Sequence, residues 1–365
     1  MNVLSLALSA IVVMALASHA VVLFGQTPQS EWTLQPGDDA FGVILAAARC
    51  GDVLYLSDTQ QKIHRYNLQT RRLLTTLGGD RVAFPTSLTT DCSQRHLYLV
   101  TGIPLGKNAT AAVQVFHLDT GELLREYALP RFLPRAGTVL DGVNSLLISG
   151  LWLQPHRAPE DLLRQPADRY YESVRLGLRL SLLTGETEPA LVPYEFRCIG
   201  GGQCPDVRTG AIGSKQRTVQ VASLPTSTRV GVYEQGRAVR TMAVTSPRFT
   251  RTGETLPVFV GTDVRMRWLS ENSAIEGVYA FDAGIAVVHY RPILPAGYHV
   301  GERTAFSVFM NTYRWDGTAL GVDTPLPDLP VGNDDTSLYV IDYGPDLRRE
   351  TARSLRLVQI PINLR

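Results

Sequence analysis

Two histidines ten residues apart, His289 and His299, stand among Tyr290, Arg291, Tyr298 and Arg303 and raise the question of a metal site. Zinc asks for three or four ligands in a defined geometry, and neither H-x3-H nor H-E-x-x-H spacing occurs in the chain. His289, Tyr290, Arg291, His299 and Arg303 therefore read as aromatic and cationic contacts for a ligand or partner. A second such set, Trp152, His156, Arg157, Arg169, Tyr170 and Tyr171, is crowded into LWLQPHRAPEDLLRQPADRYYES at 151–173. Arginine and aromatic side chains are favoured interface anchors. The segment reads either as a lid that meets a partner or an anionic or sugar-like ligand, or as an insertion packed on its own sheet.

Other chemistry-bearing residues lack a selecting pattern. Asp141, Asn144, Glu271, Asn272 and Asn333 offer oxygens near strand ends, where such residues also serve as turn formers. His64 and His117 lie beside a repeated turn and read as solvent-facing or hydrogen-bonded structural residues. No G-x-S-x-G elbow or Walker loop is present, and IGGG at 199–202 lacks the lysine and following helix of a phosphate loop. Cys198 and Cys204 flank IGGGQ, a segment flexible enough to bring their Cα atoms within the roughly 4.4–6.8 Å of a disulfide. C-x5-C without a second matching pair is a poor zinc site, which favours the bridge.

Residues 2–24, NVLSLALSAIVVMALASHAVVLF, contain no Asp, Glu, Lys or Arg and are long enough to cross a bilayer as a helix. Ser18 and Ala20 make an A-x-A-like cleavage site, so 1–25 reads as a signal peptide, with a retained anchor as the alternative. Either reading exports residues 26–365 to the periplasm or beyond, where disulfides form. Membrane contact is expected only through this segment. The remaining composition, 44% hydrophobic and 19% charged with net charge +1, supports a sizeable core and argues against a general nucleic-acid binder. All but three of the 35 basic residues are arginine, a bias of GC-rich, bacterial coding.

Positioning these groups falls to a repeat. YNLQTRRLL (66–74) and FHLDTGELL (116–124) match at an offset of 50 residues, and LSLLTGETE (180–188) keeps the Thr-Gly. Weaker copies surround Gly236 and Gly317, and each copy is a strand, a tight turn and a strand. Glycine supplies the positive φ of that turn, a slot that Arg71 fills in the first copy. Ahead of each hairpin stands an apolar strand: VLYLSD (53–58), HLYLVT (96–101), SLLISG (145–150), TVQVAS (218–223), IAVVHY (285–290) and SLYVID (337–342). With upstream strands such as FGVILAA (41–47) and PTSLTT (85–90), each unit holds four strands in roughly 50 residues. The expected fold is all-β, one six-bladed β-propeller of four-stranded antiparallel blades over 26–365. The last unit lacks a strand, so EWTLQPG at 30–36 is expected to close it, anchored by Trp32. Cys50 and Cys92 then occupy the same turn of consecutive blades and are a candidate pair.

GDVLYLSDTQQKIHRYNLQTRRLLTTLG (51–78) resembles an NHL-type repeat, and the chain resembles the six-bladed propellers of the NHL and TolB-like superfamily. The match is good over about 28 residues, fair in the second blade, and a pattern elsewhere. Such folds host binding proteins and enzymes alike. Calcium-dependent lactonases and related esterases share the form, so the resemblance implies calcium in the channel as the one candidate cofactor, and a metal-dependent hydrolase or lyase as the alternative function. The main expectation is a non-enzymatic scaffold, monomeric in its core, that binds a protein or a small polar ligand. Blade topology puts the long inserts at 151–173, 194–216, 245–272 and 291–304 on one face, the expected interaction surface.

Overall fold

The computed structural model describes residues 30–35, 40–78, 82, 84–102, 111–130, 132–152, 175–190, 208–214, 217–223, 229–234, 237–244, 246–250, 262–299, 305–343 and 352–364. After β1 (Ser30–Leu34), the first blade is β2 (Ile44–Cys50), β3 (Val53–Asp58), β4 (Ile63–Asn67) and β5 (Arg72–Leu77). The second is β6 (Pro85–Asp91), β7 (His96–Thr101), β8 (Ala111–His117) and β9 (Leu123–Leu129). Next come β10 (Phe132–Leu140), β11 (Ser145–Trp152), β12 (Arg175–Ser181) and β13 (Thr187–Pro189), then β14 (Arg208–Ser214), β15 (Arg217–Ser223), β16 (Arg229–Glu234) and β17 (Arg237–Ala243). Helix α1 (Thr262–Glu271) precedes β18 (Ala274–Phe281), β19 (Gly284–Ile293), β20 (Ala305–Arg314) and β21 (Ala319–Leu326). The closing blade is β22 (Pro330–Asn333), β23 (Ser337–Asp342) and β24 (Leu355–Pro361).

Each group is an antiparallel meander in chain order, and β1 pairs with β24 to complete the closing blade, with Ser30 opposite Gln359 and Leu34 opposite Leu355. The strand expected at 30–36 is thus in place. Its deepest anchor is Leu34, 2% exposed, while Trp32 packs on the same cluster partly buried. The first and closing blades also touch at their inner strands through one parallel bridge, Ala47 to Gly332. A Cβ at position 332 would collide with the Ala47 carbonyl, so only glycine allows this approach. Inner strands β2, β6, β10, β14 and β18 pack successively side by side. Sheets of this kind arrayed around an axis make a β-propeller.

Strand periodicity explains how the blades stick together. Alternate side chains point to opposite faces, and both faces of a blade meet a neighbour. In β3, Leu54 and Leu56 enter the core shared with the closing blade, whereas Tyr55 enters the core shared with the second blade. β7 sends Leu97 and Leu99 one way and Tyr98 and Val100 the other, and β23 divides Leu338 and Val340 from Tyr339 and Ile341. All six apolar segments picked out in the sequence are such second strands or lie within them. Outer strands are another matter: β9, LLREYAL, is mostly exposed.

The repeated hairpins turn where the pattern placed them, with φ of 58° at Arg71, 68° at Gly121, 77° at Gly185 and 90° at Gly317. The insert boundaries need correction. Residues 208–214 within 194–216 form β14, β19 continues to Ile293 inside 291–304, and α1 occupies the end of 245–272. The upstream strand placed at 41–47 begins at Ile44, with Phe41 making an isolated bridge to Ala352. Helix α1 has one narrow apolar stripe, and Trp268 and Leu269 bury against β19 beside Tyr290. Among the described residues no helix is long and apolar enough to cross a membrane. Residues 1–25, residues 153–173 of the first insert, Gly236, and Cys198 and Cys204 lie outside the described residues.

Candidate functional site

The inner strands enclose an axial cavity of about 700 Å3, lined by β2, β6, β10, β18, β22 and the turns after β2, β6 and β22. Small residues leave the room: Ala46, Ala47, Ala48, Gly137, Gly277 and Gly332 all reach the wall. An innermost strand pairs on one side only, except at the Ala47–Gly332 bridge. Its other edge therefore turns backbone N–H and C=O groups toward the axis. Each of these five strands also carries a register shift in its first half, at Ile44/Ala46, Pro85/Ser87, Pro134/Thr138, Ile275/Gly277 and Pro330/Gly332. Bulges bend a strand and re-aim its side chains, which suits walls that curve around a space. Ser87 and Thr138 join two of the strands through a buried hydroxyl pair at 2.5 Å.

Polar groups converge at the rim where β2 and β22 end. Asp334 opens the turn between β22 and β23 and is held by five donors. Oδ1 accepts from the Thr336 amide (2.8 Å), the Thr336 hydroxyl (3.0 Å) and the Ser337 amide (2.8 Å), and Oδ2 from Arg49 Nη1 (2.8 Å) and the Tyr339 hydroxyl (2.5 Å). Burial pushes this carboxyl up, but the Tyr339 and Thr336 hydrogen bonds and the Arg49 charge outweigh it and hold it below its ordinary range. Burial, then the bond to Asp334, drives the Tyr339 phenol far up, so it stays a proton donor. The Arg49 guanidinium is lowered by burial and raised more by Tyr339 and Asp334, and its Nε donates to the Gly51 carbonyl at 2.6 Å. The second blade joins in: the Thr90 hydroxyl donates to the Arg49 carbonyl at 2.8 Å, and Cys92 is bonded to Cys50 with Cα atoms 5.6 Å apart. A carboxylate so fully engaged orients its arginine; it is not free to shuttle protons.

The residues expected to bind do not converge there. His289 is fully buried, with Nε2 3.4 Å from Asp323 Oδ1 and its ring between Phe249 and Phe309. Its place is structural, since such burial keeps it from a surface partner. Ser246 also donates to Asp323, so serine and histidine meet the same carboxylate and not each other, unlike a nucleophilic triad. Tyr290 is half-buried against α1 and Phe306, Arg291 is half-buried, and His299 is exposed. Trp152 ends β11, while His156, Arg157, Arg169, Tyr170, Tyr171 and Arg303 lie outside the described residues.

Of the candidate oxygens, Asp141 pairs with Arg179 at 2.6 Å, the Asn144 carbonyl accepts from the Leu182 amide, the Glu271 carbonyl accepts from Thr250 and Asn272 caps α1 through the Trp268 carbonyl. Asn333 alone of these lines the cavity. His64 is fully buried, bonded to Asp58 (3.0 Å) and Thr76 (3.3 Å), and His117 accepts from the Asp119 and Thr120 amides. Among the described residues no three His, Cys, Asp or Glu side chains are grouped to hold a metal ion. Sequence reasoning missed Arg49, Asp334 and Tyr339. Their signal was positional: the first follows three alanines at the end of an inner strand, and the second stands beside Asn333 in the equivalent turn.

No family model matches the chain, and no curated protein matches it. Among solved structures the chain is similar to a member of the DUF4221 family from Bacteroides vulgatus, with TM-score 0.62 and 11% identity over 90% of this chain and 96% of that one. It also aligns with the β-propeller domain of Myceliophteria thermophila Cps50 (Swd1) at TM-score 0.46 and 9% identity, covering 91% and 100%. At such identities the first likeness speaks for fold alone, and the second score is too low to carry weight.

Proposed function

We propose that the chain is an exported six-bladed β-propeller of the NHL and TolB-like kind that binds a small polar ligand in its axial cavity, as a binding module and not a catalyst. One observation carries this reading: a cavity of about 700 Å3, within the size range of small-molecule sites, ends at a rim whose arginine is already held by Asp334, Tyr339 and Gly51. Six repeats with second strands at their expected positions support the blade count, and the closing strand β1 supports the single ring. The Cys50–Cys92 bridge and the apolar run at 2–24 support export. The face opposite the rim, where α1 sits, remains the surface for a protein partner.

The test is a thermal-shift screen of small polar compounds against the wild-type protein and Thr89→Trp, which fills the cavity from a half-buried wall position. At least one compound should raise the melting temperature of the wild type by several degrees and leave the variant unmoved. A compound that stabilises both equally, or a screen with no stabiliser, would count against the axial site. Turnover of any bound compound would move the reading to the hydrolase or lyase.

A further inference from the structure

The rim has an unusual balance of filled and unfilled hydrogen-bonding capacity. Asp334 is saturated by its five donors, yet among the described residues Arg49 Nη2 has no acceptor, because Nε and Nη1 make all the bonds of that side chain. Arg49 is 29% exposed, and it lines the cavity. Beside it, Asn333 spends its amide nitrogen on the Asp334 carbonyl (3.1 Å), and among the described residues nothing donates to its side-chain oxygen. Among the described residues the Asp335 side chain makes no hydrogen bond or ion pair, and neither does the hydroxyl of Thr89 further along the wall; both line the same space. A fixed donor pair, a neutral acceptor, a charged acceptor and a hydroxyl are thus offered together. The unpaired inner-strand edges add backbone donors and acceptors.

Charge decides what fits. Arg49 is already neutralised by Asp334, and Asp335 and Glu276 add negative charge to the wall, so a free anion gains little and meets repulsion. A cation held at the rim by Asp335 would have to sit against the Arg49 guanidinium. A neutral ligand whose every group both donates and accepts meets neither penalty, and this is the property of vicinal hydroxyls: one oxygen takes the arginine N–H while its neighbour donates to a carboxylate or amide oxygen. The Tyr279 ring fills the place a side chain at Gly277 would take, packs on the closing-blade core and lines the wall, where it adds an aromatic group to the site.

We propose that the axial cavity is a saccharide site, sized for one or two pyranose rings, in which Arg49, Asn333 and Asp335 hold vicinal hydroxyls at the rim. This rests on the axial binding reading above. The experiment is isothermal titration calorimetry of the full exported protein with glucose, maltose and trehalose, against citrate and putrescine as anionic and cationic probes, repeated with Arg49→Gln and Asp335→Asn. At least one sugar should bind, with affinity falling about tenfold or more in Arg49→Gln, as expected for loss of a charged hydrogen bond, and severalfold in Asp335→Asn. Asp335 has no partner among the described residues, so its variant tests the site even where Arg49→Gln fails to fold. Binding of citrate or putrescine in place of every sugar overturns the saccharide class while the cavity reading stands. Sugar binding unchanged in both variants overturns the rim assignment, and no binding of any probe overturns the proposal, the screen with Thr89→Trp then deciding whether the cavity binds at all.

Discussion

Asp58 shows how much of a blade can hang on one carboxylate. It is fully buried at the end of β3 and accepts from the amides of Gly42 (2.9 Å), Gln60 (2.9 Å) and Lys62 (3.0 Å) and from His64 Nε2 (3.0 Å), with Phe41 edge-on to the imidazole. Burial pushes its pKa up, but the His64 bond and the backbone amides win and hold it below the ordinary 3.8. A carboxyl depressed in the folded state adds stability above its unfolded pKa, and that stability is lost as pH falls through the folded value. Asp58→Asn should therefore melt several degrees below the wild type at pH 7, a cost of about 1–3 kcal/mol. The gap should narrow below about pH 4. Thermal melts of both proteins from pH 7 to pH 2 check this, and a gap that is constant with pH would deny the carboxylate its role. The sequence left His64, beside a turn, as either solvent-facing or hydrogen-bonded, and it is buried and hydrogen-bonded. It gave no sign that His289, with the same residue type, pairs with an aspartate 34 positions away in another strand. Only local partners leave a pattern in a one-dimensional string, so the same blindness hid Arg49 and Asp334, which meet across 285 residues.

At the scale of elements, legibility followed burial. Second strands are sandwiched between two neighbouring blades, so selection for apolar residues is continuous along them, and VLYLSD, HLYLVT and SLYVID announce themselves. Inner strands such as ILAAARC must stay small beside the axis and are bent by bulges, which blurs any period of two. The closing strand was legible for a different reason, namely a deficit in the last repeat. Leu34 and Leu355 face each other at its buried end. Leu34→Ala should cost about 2–4 kcal/mol by leaving a cavity between the closing and first blades, and Trp32→Ala, half-exposed, should cost less. Urea unfolding of the two variants measures the difference. Equal costs, or a larger one at Trp32, would mean that β1 is held by its outer face and not by the core.

For the whole molecule the question is what keeps a ring shut when its first and last described strands meet in one blade. Three stitches lie near the same rim: the β2–β22 approach at Gly332, the Arg49–Asp334 pair between the first and closing blades, and the Cys50–Cys92 bridge between the first and second. They differ in kind. The approach at Gly332 is steric, so Gly332→Ala drives a methyl into the Ala47 carbonyl and must part the blades. The ion pair is partly exposed and adds orientation more than energy. The bridge spans 42 residues of chain, and in the chain-entropy account its removal should cost about 3–4 kcal/mol. The bridge acts on the first and second blades and Gly332 on the first and last, so the two stitches should act independently. Wild type and Gly332→Ala should both lose stability when reduced, by a similar amount, if the stitches act independently. If opening the inner contact already frees the first blade, reduction of Gly332→Ala should cost little further, and the ring would then close as one cooperative unit. Urea unfolding of the four states, wild type and variant, oxidised and reduced, gives the coupling directly, and we expect it to be below about 0.5 kcal/mol, since the cysteines and Gly332 share no core cluster.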